Sequence, residues 1–280
     1  MRHLRRFNRV LGGFSRLGEP SFALGLAVFA GFSGIGTADA ALQIAWEPPT
    51  SATPQVLKDY SPEELAKRKE ATLTEADPLA KDEKAKFLGP SLSALVQDTT
   101  KSLSAADRAT TDLVVLKTRT GKEALMPKAF LVKYPQIQLA LKRNGQPLGP
   151  EAPRVVLPAS TNAKIRKEGI LLAPLFVSEL SEITLTSYEK RFGRFILTRR
   201  TDPAAMRGEK LFLQNCVACH SQPGAVTSSL ASAEKIEKVA GGSHPEIAGL
   251  RELKSLFDKK ATRSLSSYLE AFKVQTTAKN

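Results

Sequence analysis

Both cysteines of the 280-residue chain, and one of its three histidines, fall within five consecutive positions. They form the motif Cys216-Val-Ala-Cys219-His220. A Cys-x-x-Cys pair occurs in zinc knuckles, in thioredoxin-like redox sites and in proteins that attach haem covalently. A zinc knuckle needs a second pair of ligands, and a thioredoxin motif opens a helix after a strand. Here the motif ends a predicted helix, and only His220 and His244 could supply further zinc ligands, so both of those uses are disfavoured.

The histidine at the fifth position indicates haem attachment. In Cys-x-x-Cys-His the two thiols add to the haem vinyl groups, and the adjacent imidazole reaches the iron from one side. The chain's own composition gives about 10⁻⁴ chance matches to this motif. The sequence therefore predicts one covalent haem c on Cys216 and Cys219, with His220 as the proximal axial ligand. No catalytic residue is assigned, because no catalytic triad, recognisable carboxylate pair or phosphate loop is visible.

Two helices are predicted to position this motif. Asp202 is a candidate cap and Pro203 a candidate first residue of a helix that runs to the cysteines. A second helix is predicted from Ala261 to Lys273, because apolar residues recur there at three- and four-residue steps. Residues 201–280 are therefore predicted to form a small all-α domain.

This region resembles the class I cytochrome c family over roughly residues 202–273. The resemblance is carried by the motif itself, by a glycine and a phenylalanine on the preceding helix, and by "YLEAF" on the last helix. In that family the first and last helices cross at a small residue and an aromatic. The resemblance implies that Gly208 and Phe212 pack against Tyr268 and Leu269.

The second axial ligand of that family is usually a methionine in a Met-Pro pair. This chain has no methionine after Met206, but "GGSHPEIAGL" places His244 before Pro245. The resemblance implies that His244 is the sixth iron ligand. The haem would then have a low potential, because imidazole replaces the thioether that raises it. The alternative is a surface histidine, with the iron five-coordinate or bound by water or lysine.

Residues 54–200 are predicted to form a mixed domain dominated by β-strands, so the fold class is α+β. Short helices are predicted at "SPEELAKRKE", where Ser61 and Glu64 suit a capping box, and at "SLSALVQD". Asn144-Gly145 is a strong hairpin signal. The predicted strands are "DLVVLKT", "QIQLALKR", "RVVLP", "ITLTSY" and "RFILTR".

Residues 86–187 also resemble, more weakly, the molybdopterin-binding fold of the sulfite oxidase family. The cues are "FLGPSLSALV", "RNGQPLGP", "RVVLP" and "LFVSELSEITL", in that order. A cysteine thiolate holds the molybdenum in that family, and this segment has neither cysteine nor histidine. We therefore expect a domain without molybdenum that serves as a scaffold or docking module.

The first forty residues have the pattern of an export signal. A basic start is followed by the apolar run "FALGLAVFAGF" and by small residues at Ala38 and Ala40. We expect a signal peptide over 1–40, an extended lead-in over 41–53 and a periplasmic protein. An uncleaved anchor is the alternative. No later run is apolar for long enough to span a membrane.

The formal net charge of +13 favours acidic partners. Export and the lack of a nucleic-acid-binding motif argue against nucleic acid. Redox proteins with acidic docking surfaces are the expected partners. The candidate basic runs are Lys164, Arg166 and Lys167, and Arg191, Arg194, Arg199 and Arg200.

These features predict a periplasmic monohaem cytochrome that transfers single electrons between proteins. Two alternatives remain. One is a haem-containing subunit of an oxidoreductase complex, or a small enzyme, whose front domain binds a substrate. The other is a haem-based sensor with an open iron site, which carbon monoxide binding would reveal.

Overall fold

The computed structural model of the chain describes residues 42–78, 80, 83–221 and 258–277. These described residues belong to one compact unit. The predicted signal peptide, residues 1–40, lies outside them. The helices and sheets that they form confirm the α+β class.

Eleven strands are found in the described part of the chain, and they form two main sheets. The strands are β1 (Leu42–Trp46), β2 (Gln55–Tyr60), β3 (Ala71–Asp77), β4 (Glu83–Gly89), β5 (Leu113–Thr118), β6 (Glu123–Pro127), β7 (Gln138–Ala140), β8 (Lys142–Arg143), β9 (Gln146–Pro147), β10 (Arg154–Val156) and β11 (Leu180–Thr186). The larger sheet has the order β2-β1-β11-β5-β6, with β1 parallel to β11 and the other pairs antiparallel. The smaller sheet has the order β3-β4-β8-β9, and β10 pairs with β7.

Eight α-helices lie within the described residues. They are α1 (Pro62–Ala66), α2 (Leu92–Thr99), α3 (Ala105–Thr110), α4 (Lys128–Lys133), α5 (Tyr188–Phe192), α6 (Pro203–Asn215), α7 (Val217–His220) and α8 (Lys259–Thr277). Short 3₁₀ turns occupy Thr100–Ser102, Gly149–Glu151, Ile165–Lys167, Ala173–Leu175 and Gly193–Phe195. None of the described helices is both long and apolar enough to cross a membrane.

Several local predictions are confirmed. Ser61 and Glu64 form a capping box at the start of α1. The side chain of Asp202 accepts from the amides of the first turn of α6, and Pro203 begins that helix. Asn144 and Gly145 both have positive φ, 51° and 81°, in the turn between β8 and β9, as a tight hairpin turn requires.

The larger sheet separates two hydrophobic clusters. Side chains alternate between the faces of a strand. Val114 and Leu116 of β5 therefore point into the main core, with α2 and α4. Leu113 and Val115 point to the opposite face, where Phe212 of α6 and other residues of the C-terminal helices cover them. The C-terminal helices therefore pack directly on the β-rich part of the chain.

Two sequence assignments differ from the structure. The predicted lead-in, 41–53, contains β1, which lies between β2 and β11 and is almost entirely buried. The run "RFILTR" was predicted as a strand, and this is wrong. Two backbone amides of this run donate hydrogen bonds to side chains instead of to a neighbouring strand. The amide of Leu197 donates to Glu209 (2.6 Å), and the amide of Thr198 donates to Gln275 (2.7 Å).

Candidate functional site

The Cys-x-x-Cys-His segment continues directly from α6. The amide of Cys216 donates to the carbonyl of Phe212 (2.8 Å), and the amide of His220 donates to the carbonyl of Cys216 (2.9 Å). The motif is therefore one helical turn. Positions i, i+3 and i+4 are neighbours on such a turn, so the backbone brings positions 216, 219 and 220 to one side.

The turn is anchored by the residue after its first cysteine. Val217 is completely buried in the cluster below the larger sheet, whereas Cys216 and His220 are half-buried. For Cys219 the structure describes the backbone only. Because Val217 is buried and its neighbours Cys216 and His220 are half-buried, the side chains of Cys216 and His220 lie at the boundary between the core and the surface.

Helices α6 and α8 cross at Gly208. A Cβ atom at this position would lie 1.9 Å from the carbonyl oxygen of Ser264 and 2.7 Å from Cβ of Tyr268. Phe212, one turn further along, contacts the Tyr268 ring at a centroid distance of 5.3 Å. The predicted packing of Gly208 and Phe212 against Tyr268 is therefore confirmed, and Leu269 is partly buried in the same cluster.

Tyr268 fixes this crossing through its hydroxyl group as well as its ring. The hydroxyl donates to the carbonyl of Phe195 (2.7 Å), which belongs to the segment before α6. Burial raises the pKa of Tyr268, and the negative charge of the nearby Glu209 adds to the effect. Tyr268 thus joins the last helix, the segment before α6 and the surroundings of Cys216.

Glu209 is a buried carboxylate next to the crossing that sequence reasoning did not identify as a structural anchor. Besides the amide of Leu197, it accepts a hydrogen bond from the guanidinium of Arg200 (2.7 Å). Within the described part of the chain its ion-pair partner is this exposed arginine. The carboxylate therefore ties the connection between β11 and α6 to the helix that carries the motif.

Asn215, the residue immediately before Cys216, holds the end of α6 on the β-rich part of the chain. Its Oδ1 accepts from the amide of Leu171 (2.8 Å), and its Nδ2 donates to the carbonyl of Gly169 (3.0 Å). The same Nδ2 also donates to the carbonyl of Leu211 within α6 (3.0 Å). Sequence reasoning missed Asn215, because its partners are backbone groups about 45 residues away. The only available signal was its position beside the motif.

A cationic cleft of about 340 Å³ adjoins this contact. It is lined by Gly169, by Arg207 and Lys210 of α6, and by Lys260 of α8. Within the described part of the chain these three cations form no ion pair. Two carboxylates also line the cleft: Glu168 binds Lys133 and Tyr134, and Asp258 accepts a hydrogen bond from the amide of Ala261 in α8.

The basic runs predicted as docking surfaces have mixed surroundings. Arg191 is half-buried and pairs with Glu47 and Glu123, and Arg200 pairs with Glu209, so these two charges are compensated internally. Arg194 lies over the ring of Phe195. The remaining members, Lys164, Arg166, Lys167 and Arg199, are exposed.

His244, the predicted sixth ligand, lies outside the described residues. Among those that are described, no group of three or more histidine, cysteine, aspartate or glutamate side chains could hold a metal ion. Searches against protein-family models and against curated proteins returned no match for this chain.

Proposed function

We propose that the chain is a c-type cytochrome that carries single electrons between protein partners. Cys216 and Cys219 would hold one haem c through thioether bonds, and His220 would bind its iron. Bound haem c supplies one-electron chemistry through its ferric and ferrous states. The observation that carries the proposal is the geometry of the motif, in which one helical turn presents positions 216, 219 and 220 on the same side.

The surroundings of the motif fit this role. Cys216 and His220 lie between core and surface, where a large apolar group can be covered while one edge stays accessible. The motif turn is held from both sides, by the crossing at Gly208 and by the contacts of Asn215. Such bracing keeps the iron-binding imidazole of His220 in a fixed place, because α6 cannot shift without breaking both contacts.

His244 is our proposal for the second iron ligand. Its support is the position of His244-Pro245 in the sequence, between the motif and α8, together with the lack of a later methionine. An imidazole at this position would keep the potential low.

We assign a scaffold role to the β-rich domain, residues 54–200, and expect no molybdenum in it. Among the described contacts it supports the motif mechanically: Leu125 of β6 packs in the same cluster as Val217, and the loop at Gly169 and Leu171 binds Asn215. The cationic cleft beside that loop is the proposed docking surface for an acidic redox partner, because Arg207, Lys210 and Lys260 lie together there and form no ion pair among the described residues. Export to the periplasm is part of the same proposal, since haem is attached covalently outside the cytoplasm.

The test is covalent haem content. The protein, produced with a haem-attachment system and denatured, is expected to retain one haem on a haem-stained gel and to contain one iron and no molybdenum. The double substitution Cys216→Ala and Cys219→Ala should abolish the stain, whereas Ser221→Ala, next to the motif, should leave it unchanged. Haem that extracts into acidified organic solvent from the unaltered protein would contradict the proposal, and stoichiometric molybdenum would contradict the scaffold role.

A further inference from the structure

Ser264 of α8 is the most buried residue that lines the cationic cleft. It is 2% exposed, and among the described residues its hydroxyl group makes no hydrogen bond. By contrast, Ser266 on the same helix donates to the carbonyl of Thr262 (3.1 Å). A buried polar group without a partner is uncommon in folded proteins and calls for an explanation. An acceptor that enters the cleft would supply the missing partner.

A ligand can reach this hydroxyl group from the cleft. The fully enclosed side-chain atoms that lack a partner include the hydroxyl groups of Ser178 and Thr186, but not that of Ser264. The oxygen of Ser264 therefore keeps some accessible surface, and its residue borders the cleft.

The cleft follows the groove between α6 and α8. Its lining residues recur at steps of three and four positions, with Arg207, Lys210 and Gln214 on α6 and with Lys260 and Ser264 on α8. Residues at such steps lie along one stripe of a helix. The three cations are exposed, whereas Ser264 is buried where the two helices cross. The groove therefore has cations along its rim and a hydroxyl group at its floor.

The charge of the lining indicates the class of ligand. Arg207, Lys210 and Lys260 are opposed by the carboxylates of Glu168 and Asp258, so the lining has a net charge of +1. One negative charge balances this lining, whereas the second charge of a phosphate would only add repulsion from the two carboxylates. A carboxylate group has two oxygen atoms, so it can accept from a hydroxyl group and from a cation at the same time. The cleft therefore fits a single carboxylate group.

The position of the cleft indicates where that carboxylate comes from. Gln214 lines it two residues before Cys216, so a partner that is anchored in the cleft lies next to the motif turn. The volume of about 340 Å³ admits a whole side chain and not only its charged end. Building on the proposed electron-transfer function, we propose that the redox partner inserts one aspartate or glutamate side chain into this cleft. Its carboxylate accepts a hydrogen bond from Ser264 and pairs with the cations of the rim.

The experiment uses the full chain, labelled with ¹⁵N, and two capped pentapeptides that differ only in their central residue. One peptide has glutamate at that place, and the other has glutamine. Dissociation constants are measured by NMR titration of the amides of Gln214 and Ser264. We expect both amide signals to shift with the glutamate peptide, and this peptide to bind at least ten-fold more tightly than the glutamine peptide.

Two substitutions test the site itself. Ser264→Ala should weaken binding of the glutamate peptide about ten-fold without lowering the thermal unfolding midpoint, because the hydroxyl group has no bond to lose in the free protein. Lys210→Gln, at an exposed position, should weaken it at least three-fold. Lys273→Gln is the matched control, since it removes the same charge from an exposed position of α8 outside the cleft, and it should leave the affinity unchanged.

Equal affinity for the two peptides, unchanged affinity in Ser264→Ala, or tighter binding of inorganic phosphate than of the glutamate peptide would overturn the proposal. Equal weakening by Lys210→Gln and Lys273→Gln would also do so, because the net charge of the protein would then hold the peptide. A lower unfolding midpoint for Ser264→Ala would give its hydroxyl group a structural role and have the same consequence.

The haem content is measured separately, so the two proposals can fail independently. Protein that retains covalent haem but does not bind the glutamate peptide would lose the carboxylate site alone. Binding of the peptide by protein that cannot attach haem would keep the carboxylate site and remove the electron-transfer function.

Discussion

Gly208, Glu209 and Asn215 each have a distinct role in holding the motif turn. Gly208 lets two helices approach until their backbones nearly touch, and Glu209 binds the segment that enters α6. Asn215 binds the loop at residues 169–171. Each of the three residues restricts where α6 can lie relative to the sheet. This role does not require contact with a cofactor.

Gly208→Ala tests the crossing. The added Cβ would meet backbone atoms of Ser264, which cannot move away as a flexible side chain can. We expect a loss of about 2 kcal/mol in the free energy of unfolding, since overpacking outweighs the helix propensity gained from alanine.

Gly193→Ala is the control for that substitution. A Cβ there would meet only the side chain of Glu189, at 3.2 Å, and we expect a change below about 1 kcal/mol. Urea denaturation of both variants measures the difference, and equal stabilities would show that the two helices can separate at little cost.

His244 gives a second prediction at the scale of a single residue. If its imidazole is the sixth ligand, His244→Ala should open the iron to carbon monoxide, and His244→Met should raise the reduction potential. Absorption spectra with and without carbon monoxide, and a redox titration, provide the measurements. An unchanged low-spin spectrum in His244→Ala would remove His244 as the ligand, and the inferred low potential with it.

Helix α6 connects the two parts of the described chain. Its buried side packs on α8 and on Leu125 of β6, and its last residue is bonded to the loop at Gly169 and Leu171. The helix is thus fixed along its side and at its end. We expect the loop contact to set the local stability of the motif turn.

Asn215→Ala tests this contact. It removes three hydrogen bonds and leaves the amide of Leu171 without its partner, so we expect a loss of about 2 kcal/mol. Hydrogen exchange at the amides of Leu171 and His220 should become faster. Gln214→Ala, one residue earlier, is the control and should change stability by less than about 0.5 kcal/mol, because the side chain of Gln214 makes no hydrogen bond within the described residues. Unchanged exchange at His220 in Asn215→Ala would mean that the loop does not brace the turn.

The sequence was informative where local chemistry determines the structure. Helix starts at Ser61 and Asp202 and the hairpin at Asn144 were predicted from residue type and spacing. The crossing at Gly208 was implied by the resemblance to class I cytochromes c. β3 and β4 were not recognised. Their inward positions include Glu75, whose buried charge breaks the apolar alternation that signals a strand.

The rest depended on contacts between distant segments. "RFILTR" has the composition of a strand, but its amides bind Glu209 and Gln275, and no pattern within the run reveals that. The contacts of Asn215 and the cleft between α6 and α8 are likewise visible only once segments far apart in sequence are brought together. Spacing within the motif leads to the proposed haem site, but it does not reveal the residues that brace the motif turn.

At the scale of the whole molecule, the larger sheet has a packed hydrophobic cluster on each face, and tyrosine side chains take part in both clusters. Tyr134 belongs to the main core, and its hydroxyl donates to Glu168 (2.5 Å). Tyr268 belongs to the opposite cluster, and Tyr188 packs at its margin. The hydroxyl groups of Tyr134 and Tyr268 each donate a hydrogen bond, and that of Tyr188 is buried without a partner among the described residues. Ionising any of the three would place a charge in a buried environment, so it should weaken both halves of the structure.

Alkaline pH therefore should destabilise the folded protein through these tyrosines. Burial, assisted by the hydrogen bond to Glu168, raises the pKa of Tyr134 to about 12, and burial also raises the pKa of Tyr188 and Tyr268. An unfolded tyrosine titrates near 10. Since the folded pKa values are the higher ones, the stabilisation is fully present below about pH 10 and is lost as the pH rises toward 12.

Urea unfolding midpoints between pH 8 and pH 12 test this expectation. The urea concentration at the midpoint should stay constant up to about pH 10 and decrease above it. The decrease should coincide with the appearance of tyrosinate absorbance. Lysine side chains lose their charge in the same range, so the unaltered protein alone cannot assign the effect. Tyr134→Phe separates the two causes: it removes one titrating group from the core, and its midpoint should fall less steeply above pH 10. The same slope in both proteins would mean that ionisation of Tyr134 does not limit the stability of the main core, and that the alkaline loss comes from the lysines or from Tyr188 and Tyr268.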